Sequence, residues 1–149
     1  MKKNRKYKQG IFTPKHPEKY KGTFPITYRS GWECKCMMVF DHNPNILMWG
    51  SESIVIPYSN PLTGRVSRYF TDFNILMRDK DGNIKKFLIE LKPYSQTIPP
   101  TQKNKRSRTL LKQQADYVKN QAKWKAASEY SQKHGFQFVV LTEKQLSML

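Results

Sequence analysis

Apolar residues recur along this chain with two different periods. From Ser30 onward Trp32, Cys36, Val39 and Phe40 fall three to four apart, and Asn43-Pro44-Asn45 stops the run. This predicts a first helix near residues 30–42. "ILMWGSESIVIPY" follows with Ile54, Ile56 and Tyr58 alternating before a turn from Pro61 to Gly64, the pattern of a first strand region. Two further apolar-rich runs, in "RYFTDFNILMRDKDGNIKKFLIELK", flank Asp79-Lys80-Asp81-Gly82-Asn83. A short loop with Gly82 in the left-handed position turns them into a hairpin. Pairing Asp79 with Asn83 sets Asn74 opposite Leu88, Asp72 opposite Glu90 and Phe70 opposite Lys92. Phe73, Ile75 and Met77 then share a face with Phe87, Ile89 and Leu91, and a slip of one residue would send the whole apolar set to the wrong side. A long helical stretch from Thr109 to His134 comes next, closed by Gly135 as its C-cap, with Leu111, Ala115, Val118, Ala122 and Ala126 as its apolar stripe. "FQFVVL", residues 136–141, predicts a buried strand.

The order is helix, strand, hairpin, long helix, strand, which predicts one mixed α/β (α+β) domain over residues 29–149. Residues 1–28 differ in composition. Lys2, Lys3, Arg5, Lys6, Lys8, Lys15, Lys19 and Lys21 alternate with Pro14, Pro17 and Pro25 without clear periodicity, so this segment is expected to be a basic arm, lying on phosphates or solvated. The whole chain of 149 residues carries 27 Lys and Arg against 11 Asp and Glu, a net charge of +16. That excess points to a polyanionic partner, with nucleic acid first. No apolar run approaches the roughly 20 residues of a membrane-spanning helix, and no apolar segment follows the basic N-terminus, so a soluble, intracellular protein without a membrane partner is expected. Cys34 and Cys36 are too close in sequence for a structural disulfide. With His42 they would give three zinc ligands and lack a fourth, so buried thiols are expected and zinc is not.

The candidate chemistry lies at the open end of the hairpin. In "IELKP" the side chains of Glu90 and Lys92 leave one face of a strand, and the register brings Asp72 opposite Glu90. Two carboxylates about 4 Å apart repel by roughly 4 kcal/mol at an effective dielectric near 20. Protonation, Lys92 or a divalent cation would relieve that repulsion. Carboxylates with a strand carbonyl, here that of Leu91, form the oxygen-rich set that magnesium uses. Lys92 beside them could orient an attacking water and stabilise charge on a phosphodiester transition state. A solvated strand edge is the plain alternative for Glu90 and Lys92.

Asp72 followed by Glu90-Leu91-Lys92 resembles the signature of the PD-(D/E)xK nuclease superfamily, with Thr71 at the position of the proline. Glu33 in "YRSGWE" matches the helix glutamate that such nucleases often add to the metal site. Ser30-Gly31-Trp32-Glu33 is also a capping box, in which Glu33 reaches back to the Ser30 amide. Gln113 and Tyr117 repeat a Q-x-x-x-Y spacing found beside the site in some branches, or form an ordinary polar flank. Glu52 in "WGSES" precedes the first strand and could approach the site, but is expected to face solvent. Lys103, Lys105, Arg106 and Arg108 form a basic segment suited to DNA phosphates, or a solvated loop. From Tyr28 to the C-terminus the sequence is similar to the head-completion nucleases of T-even-like tailed phages and, more distantly, to transposase endonuclease subunits. The resemblance implies a restriction-endonuclease-like core and a Mg2+-dependent, or Mn2+-dependent, DNA endonuclease. It further implies action on packaged DNA ends before tail joining, with head, portal or neck proteins as partners, in the host cytoplasm during assembly or in the virion. Its counterpart from another class is a structural DNA-end binder that keeps the fold without cutting.

Overall fold

The computed structural model describes residues 9–101 and 106–146. A short antiparallel pair, β1 (Gly10–Phe12) and β2 (Ile26–Tyr28), precedes helix α1 (Gly31–His42). Strands β3 (Ile46–Ser51), β4 (Val55–Asn60), β5 (Arg65–Phe70), β6 (Phe73–Arg78) and β7 (Ile84–Leu91) follow, then helix α2 (Ser107–His134), β8 (Phe136–Leu141) and the short α3 (Glu143–Leu146). The central sheet has the order β3-β6-β7-β8, antiparallel except for the parallel β7–β8 pair. This is the restriction-endonuclease-like α/β core, and strands β4 and β5 form a separate hairpin inserted into it.

The β6–β7 register agrees with the hydrophobic pattern, Phe73 pairing Ile89 and Arg78 pairing Ile84 around a loop in which Gly82 has φ 81°. Phe73, Ile75 and Ile89 bury one face against Cys36, Met37 and Phe40 of α1 and against Trp49. Leu88, alternating with Ile89, points to the opposite face, where Ala127 of α2 and Ile56, Tyr58 and Tyr69 of the β4–β5 hairpin cover it. Both faces of β7 are therefore dry over Leu88, Ile89 and Glu90.

Three expectations change. Phe70 does not face Lys92: it pairs with Val55, because the chain leaves one sheet at Phe70 and enters the other at Phe73. Asp72 sits on that seam. Secondly, the part of the expected basic arm that lies in residues 9–28 is folded onto the domain, residues 1–8 being outside the described residues. Ile26 is buried, and the Tyr20 ring packs edge-on at 4.7 Å against Trp49. Asp41 at the end of α1 accepts the Lys15 and His16 amides at 2.9 Å each, and the Lys19 ammonium donates to the Asp41 and Asn43 carbonyls. A lysine at a helix C-terminus meets both the orphan carbonyls and the negative end of the helix dipole, so Lys19 serves the fold. Thirdly, the apolar stripe of α2 holds only in its second half. Leu111 and Val118 are exposed, while Ala122 and Ala126 pack beside Trp124 and Tyr130 on the β4–β5 side. Strand β8 is half-buried apart from the exposed Gln137.

Candidate active site

The carboxylate pair is built by the seam and by the end of β7. Glu90 is 5% exposed, and the half-buried Asp72, two residues past the end of β5, lies beside it. The Leu91 amide donates to Asp72 Oδ2 at 2.7 Å, tying the two segments together where ladder pairing has stopped. The N–H and C=O of one residue face the same neighbouring strand, so the Leu91 carbonyl is also turned toward Asp72. Burial first, then the Glu90 carboxyl beside it, push the Asp72 carboxyl up to about 8, against the pull of the Leu91 amide and of Lys92. Lys92 continues β7, with its amide bonded to the Leu141 carbonyl and its charge within reach of Asp72.

Glu33 approaches from α1. Ser30 caps that helix by accepting the Glu33 amide at 3.1 Å, while the Glu33 carboxylate reaches the Arg29 amide, one residue before the Ser30 amide expected of a capping box. Burial raises the Glu33 carboxyl above its ordinary value, opposed by Arg29 and reinforced by Asp72 and Glu52. Arg29 joins these acids. Its guanidinium pairs with Glu52, lies 3.7 Å from Glu33 and reaches Asp72 at 3.9 Å. Glu52 is exposed, as expected, and also stands on the rim of the site: its N–H donates to the Asp72 carbonyl at 3.1 Å and its backbone takes φ 51°. Left-handed backbone is uncommon outside glycine and collects at functional sites.

On the other side, Trp124 Nε1 of α2 donates to Glu90 Oε2 at 3.4 Å. The Tyr69 hydroxyl is buried near Glu90 and Trp124, and the Thr71 hydroxyl is buried beside Asp72; neither makes a hydrogen bond of ordinary geometry to a described residue. Lys123 stands over the rings of Tyr58 and Tyr69, at 5.9 and 5.5 Å. Burial first, then Lys119, lower its pKa, and the charges of Glu90, Lys92 and Asp72 all act on it. Sequence reasoning missed Arg29, Tyr69, Lys123 and Trp124, since each is joined to the carboxylates only by packing distant in sequence. The one local cue was the spacing of Trp124 and Tyr117, seven apart and hence on one side of α2.

Of the expected site residues, the fold brings together Asp72, Glu90, Leu91 and Lys92, with Glu33 attached through Arg29. Gln113 and Tyr117 line a cavity next to them. Arg106 and Arg108 lie exposed at the start of α2, and Lys103 and Lys105 fall outside the described residues. Cys36 is fully buried, burial pushing its thiol up to about 12, and Cys34 is half-buried.

The donor set fits a hard divalent cation. Two adjacent carboxyls, a strand carbonyl and unpartnered hydroxyls are all oxygen, and a guanidinium already stands as a cation among three of the acids. Among the described residues no three acid, His or Cys side chains converge on one ligand point, so Glu33 and Glu52 would have to release Arg29 to join such a set.

A family profile described as TnsA-like endonuclease N terminal matches residues 43–143, from before β3 to the start of α3. The chain belongs to the TnsA-like endonucleases. It is also 39% identical, over 145 residues covering 94% of each chain, to the "Head completion nuclease" of Enterobacteria phage T4. No solved structure matches. The TnsA-like segment contains Asp72, Glu90 and Lys92, whereas Arg29 and Glu33 lie before it.

Proposed function

We propose that this TnsA-like protein is a divalent-metal-dependent DNA endonuclease that acts on packaged DNA ends during phage head completion. The observation that carries the chemistry is the Asp72–Glu90 pair at a sheet seam, Glu90 buried and Asp72 largely so, with Lys92 beside it. Burying two adjacent carboxyls is costly, and nothing in the packing of the core requires it. Mg2+, or Mn2+, would be held by Asp72, Glu90 and the Leu91 carbonyl, with Glu33 on the rim. Bound there, it would supply Lewis-acid stabilisation of the phosphate and a more acidic water.

The chain's own groups supply the rest. Lys92 faces the pair and is placed to hydrogen-bond an attacking water and to oppose negative charge gathering on the phosphate. Trp124 and the Leu91 amide fix the two carboxyls in place, so little reorganisation is needed when substrate arrives. Lys119, Lys123, Arg106 and Arg108 lie along α2, with Lys103 and Lys105 in the preceding segment, and are suited to the phosphates on either side. Affinity should fall steeply with salt. The phage relative's name supports the assembly role, and head, portal or neck proteins are the proposed partners, met in the host cytoplasm or in the virion. Among the described residues no helix is long and apolar enough to cross a membrane.

The test is cleavage of linear, circular and branched DNA with and without Mg2+, beside folded Asp72→Ala and Lys92→Ala. Metal-dependent cutting that disappears in both variants supports the reading. Equal DNA binding by all three proteins with no cutting under any divalent cation would replace it with the structural end binder.

A further inference from the structure

A cavity of about 190 Å³ opens between the loop that follows Lys92 and the first half of α2, lined by Gln96, Ile98, Gln113, Asp116, Tyr117 and Asn120. It is far larger than the about 30 Å³ share of one water and smaller than the roughly 300 Å³ at which sites for drug-sized ligands begin. A single planar ring system is the occupant of that scale. The lining also selects by charge. Among the described residues around it the one ionisable acid is Asp116, engaged by Lys112 at 3.0 Å, and none is cationic. Among those residues a phosphate finds no cation to bind.

Asn120 gives the cavity its polarity. The residue is 6% exposed and borders the cavity. A carboxamide carries both donors and acceptors, the pattern that reads the edge of a nucleobase. Tyr117 adds an aromatic ring, half-buried, and Ile98 and Pro100 add apolar edges. Asn120 lies one helical turn before Trp124, which bonds Glu90, so about 6 Å of helix axis separates cavity from carboxylates. That is about two base steps of B-form DNA.

We propose that this cavity receives one unpaired nucleobase next to the phosphate at the carboxylate pair, which makes the protein selective for DNA with a single-stranded tail or frayed end. A base still paired in duplex cannot enter, because its edge is engaged and its faces are stacked. The ring of Tyr117 offers the stacking partner, and the Asn120 amide takes the exposed edge. The proposal rests on the nuclease reading for its substrate, yet it concerns binding and is read without cutting.

The experiment is equilibrium binding in EDTA of a blunt duplex and of the same duplex with a short 5′ or 3′ tail. Single 2-aminopurines are placed in turn along each tail, and the proteins are wild type, Asn120→Leu and Tyr117→Ala, each shown folded by circular dichroism. One stacked base adds about tenfold in affinity, so a tail of one polarity should bind about tenfold tighter than blunt duplex, with quenched emission at one tail position. In both variants that ratio should fall to within about twofold and the quench should be lost. Should Asn120→Leu not fold, Tyr117→Ala carries the comparison, since its side chain is half-exposed. Equal binding of tailed and blunt DNA by wild type, or an undiminished ratio in the folded variants, overturns the proposal. A protein that prefers tails and never cuts would retain the cavity's role and lose the nuclease reading; one that cuts with no preference would do the reverse.

Discussion

Asp41 and Asp72 are both acids at the end of a secondary-structure element, both largely withdrawn from water, and their surroundings could hardly be more different. Asp41 accepts two backbone amides, and the Lys19 ammonium sits on its own carbonyl. Asp72 accepts one amide and faces another acid, with the Arg29 guanidinium no nearer than 3.9 Å and Lys92 acting from a distance. The first environment is what a carboxylate needs when its task is to hold a segment of chain in place. The second leaves the charge largely unanswered, since Arg29 and Lys92 offset burial and Glu90 only in part, and raises the carboxyl well above its ordinary value. Burial alone therefore does not mark a functional acid; what matters is whether the protein itself supplies the counter-charge.

The contrast can be broken most sharply by activity. Asp72→Asn should lower cleavage by at least about a thousandfold, the scale expected when an essential charged group is lost, measured by single-turnover cutting of labelled DNA. Asp41→Ala should leave the rate per folded molecule within about twofold of wild type. In stability the order inverts. Asp41→Ala strands the Lys15 and His16 amides and should cost about 2–3 kcal/mol in urea unfolding. Asp72→Asn keeps an oxygen for the Leu91 amide and removes the unanswered charge, so in metal-free buffer at pH 8 it should stabilise by about 1–2 kcal/mol.

The sign of the pH effect follows from the raised carboxyl. Between 3.8 and about 8, folded Asp72 holds a proton that the unfolded chain has released, so metal-free wild type should lose stability as pH rises through that window. Asp72→Asn should lack this slope, and thermal melts at pH 5, 6.5 and 8 compare the two. A smaller effect is expected from the cation. At ten times its Kd, Mg2+ should stabilise wild type by about 1.4 kcal/mol at pH 8 and leave Asp72→Asn unmoved, read by melts with and without the metal.

Much of this fold was legible because local rules agreed with one another. The Asp79–Asn83 loop and the apolar alternation around it point to one register, and the Ser30 cap and Gly135 terminus mark both long helices. Asp72, Glu90 and Lys92 came out of that register directly. Less legible were features decided by distant partners. Lys15, Lys19 and Lys21 have the composition of a solvated arm, and only the carboxylate and carbonyls at the end of α1 reveal why that segment folds. Leu111 and Val118 continue a helical period, but α2 finds its packing partners in the β4–β5 hairpin and the sheet further along, so the stripe ends before it reaches them. Arg29 and Glu52 gave no periodic signal, since neither belongs to an apolar face.

The indole of Trp124 rests on one carboxyl of the site, while Trp49 is sealed in the opposite core. Any change in charge at Glu90 alters the electric field felt by one of the chain's three tryptophans and hardly touches Trp49. The protein thus carries its own optical indicator: ordinary tryptophan emission can follow the arrival of a cation or a substrate phosphate, with no label attached.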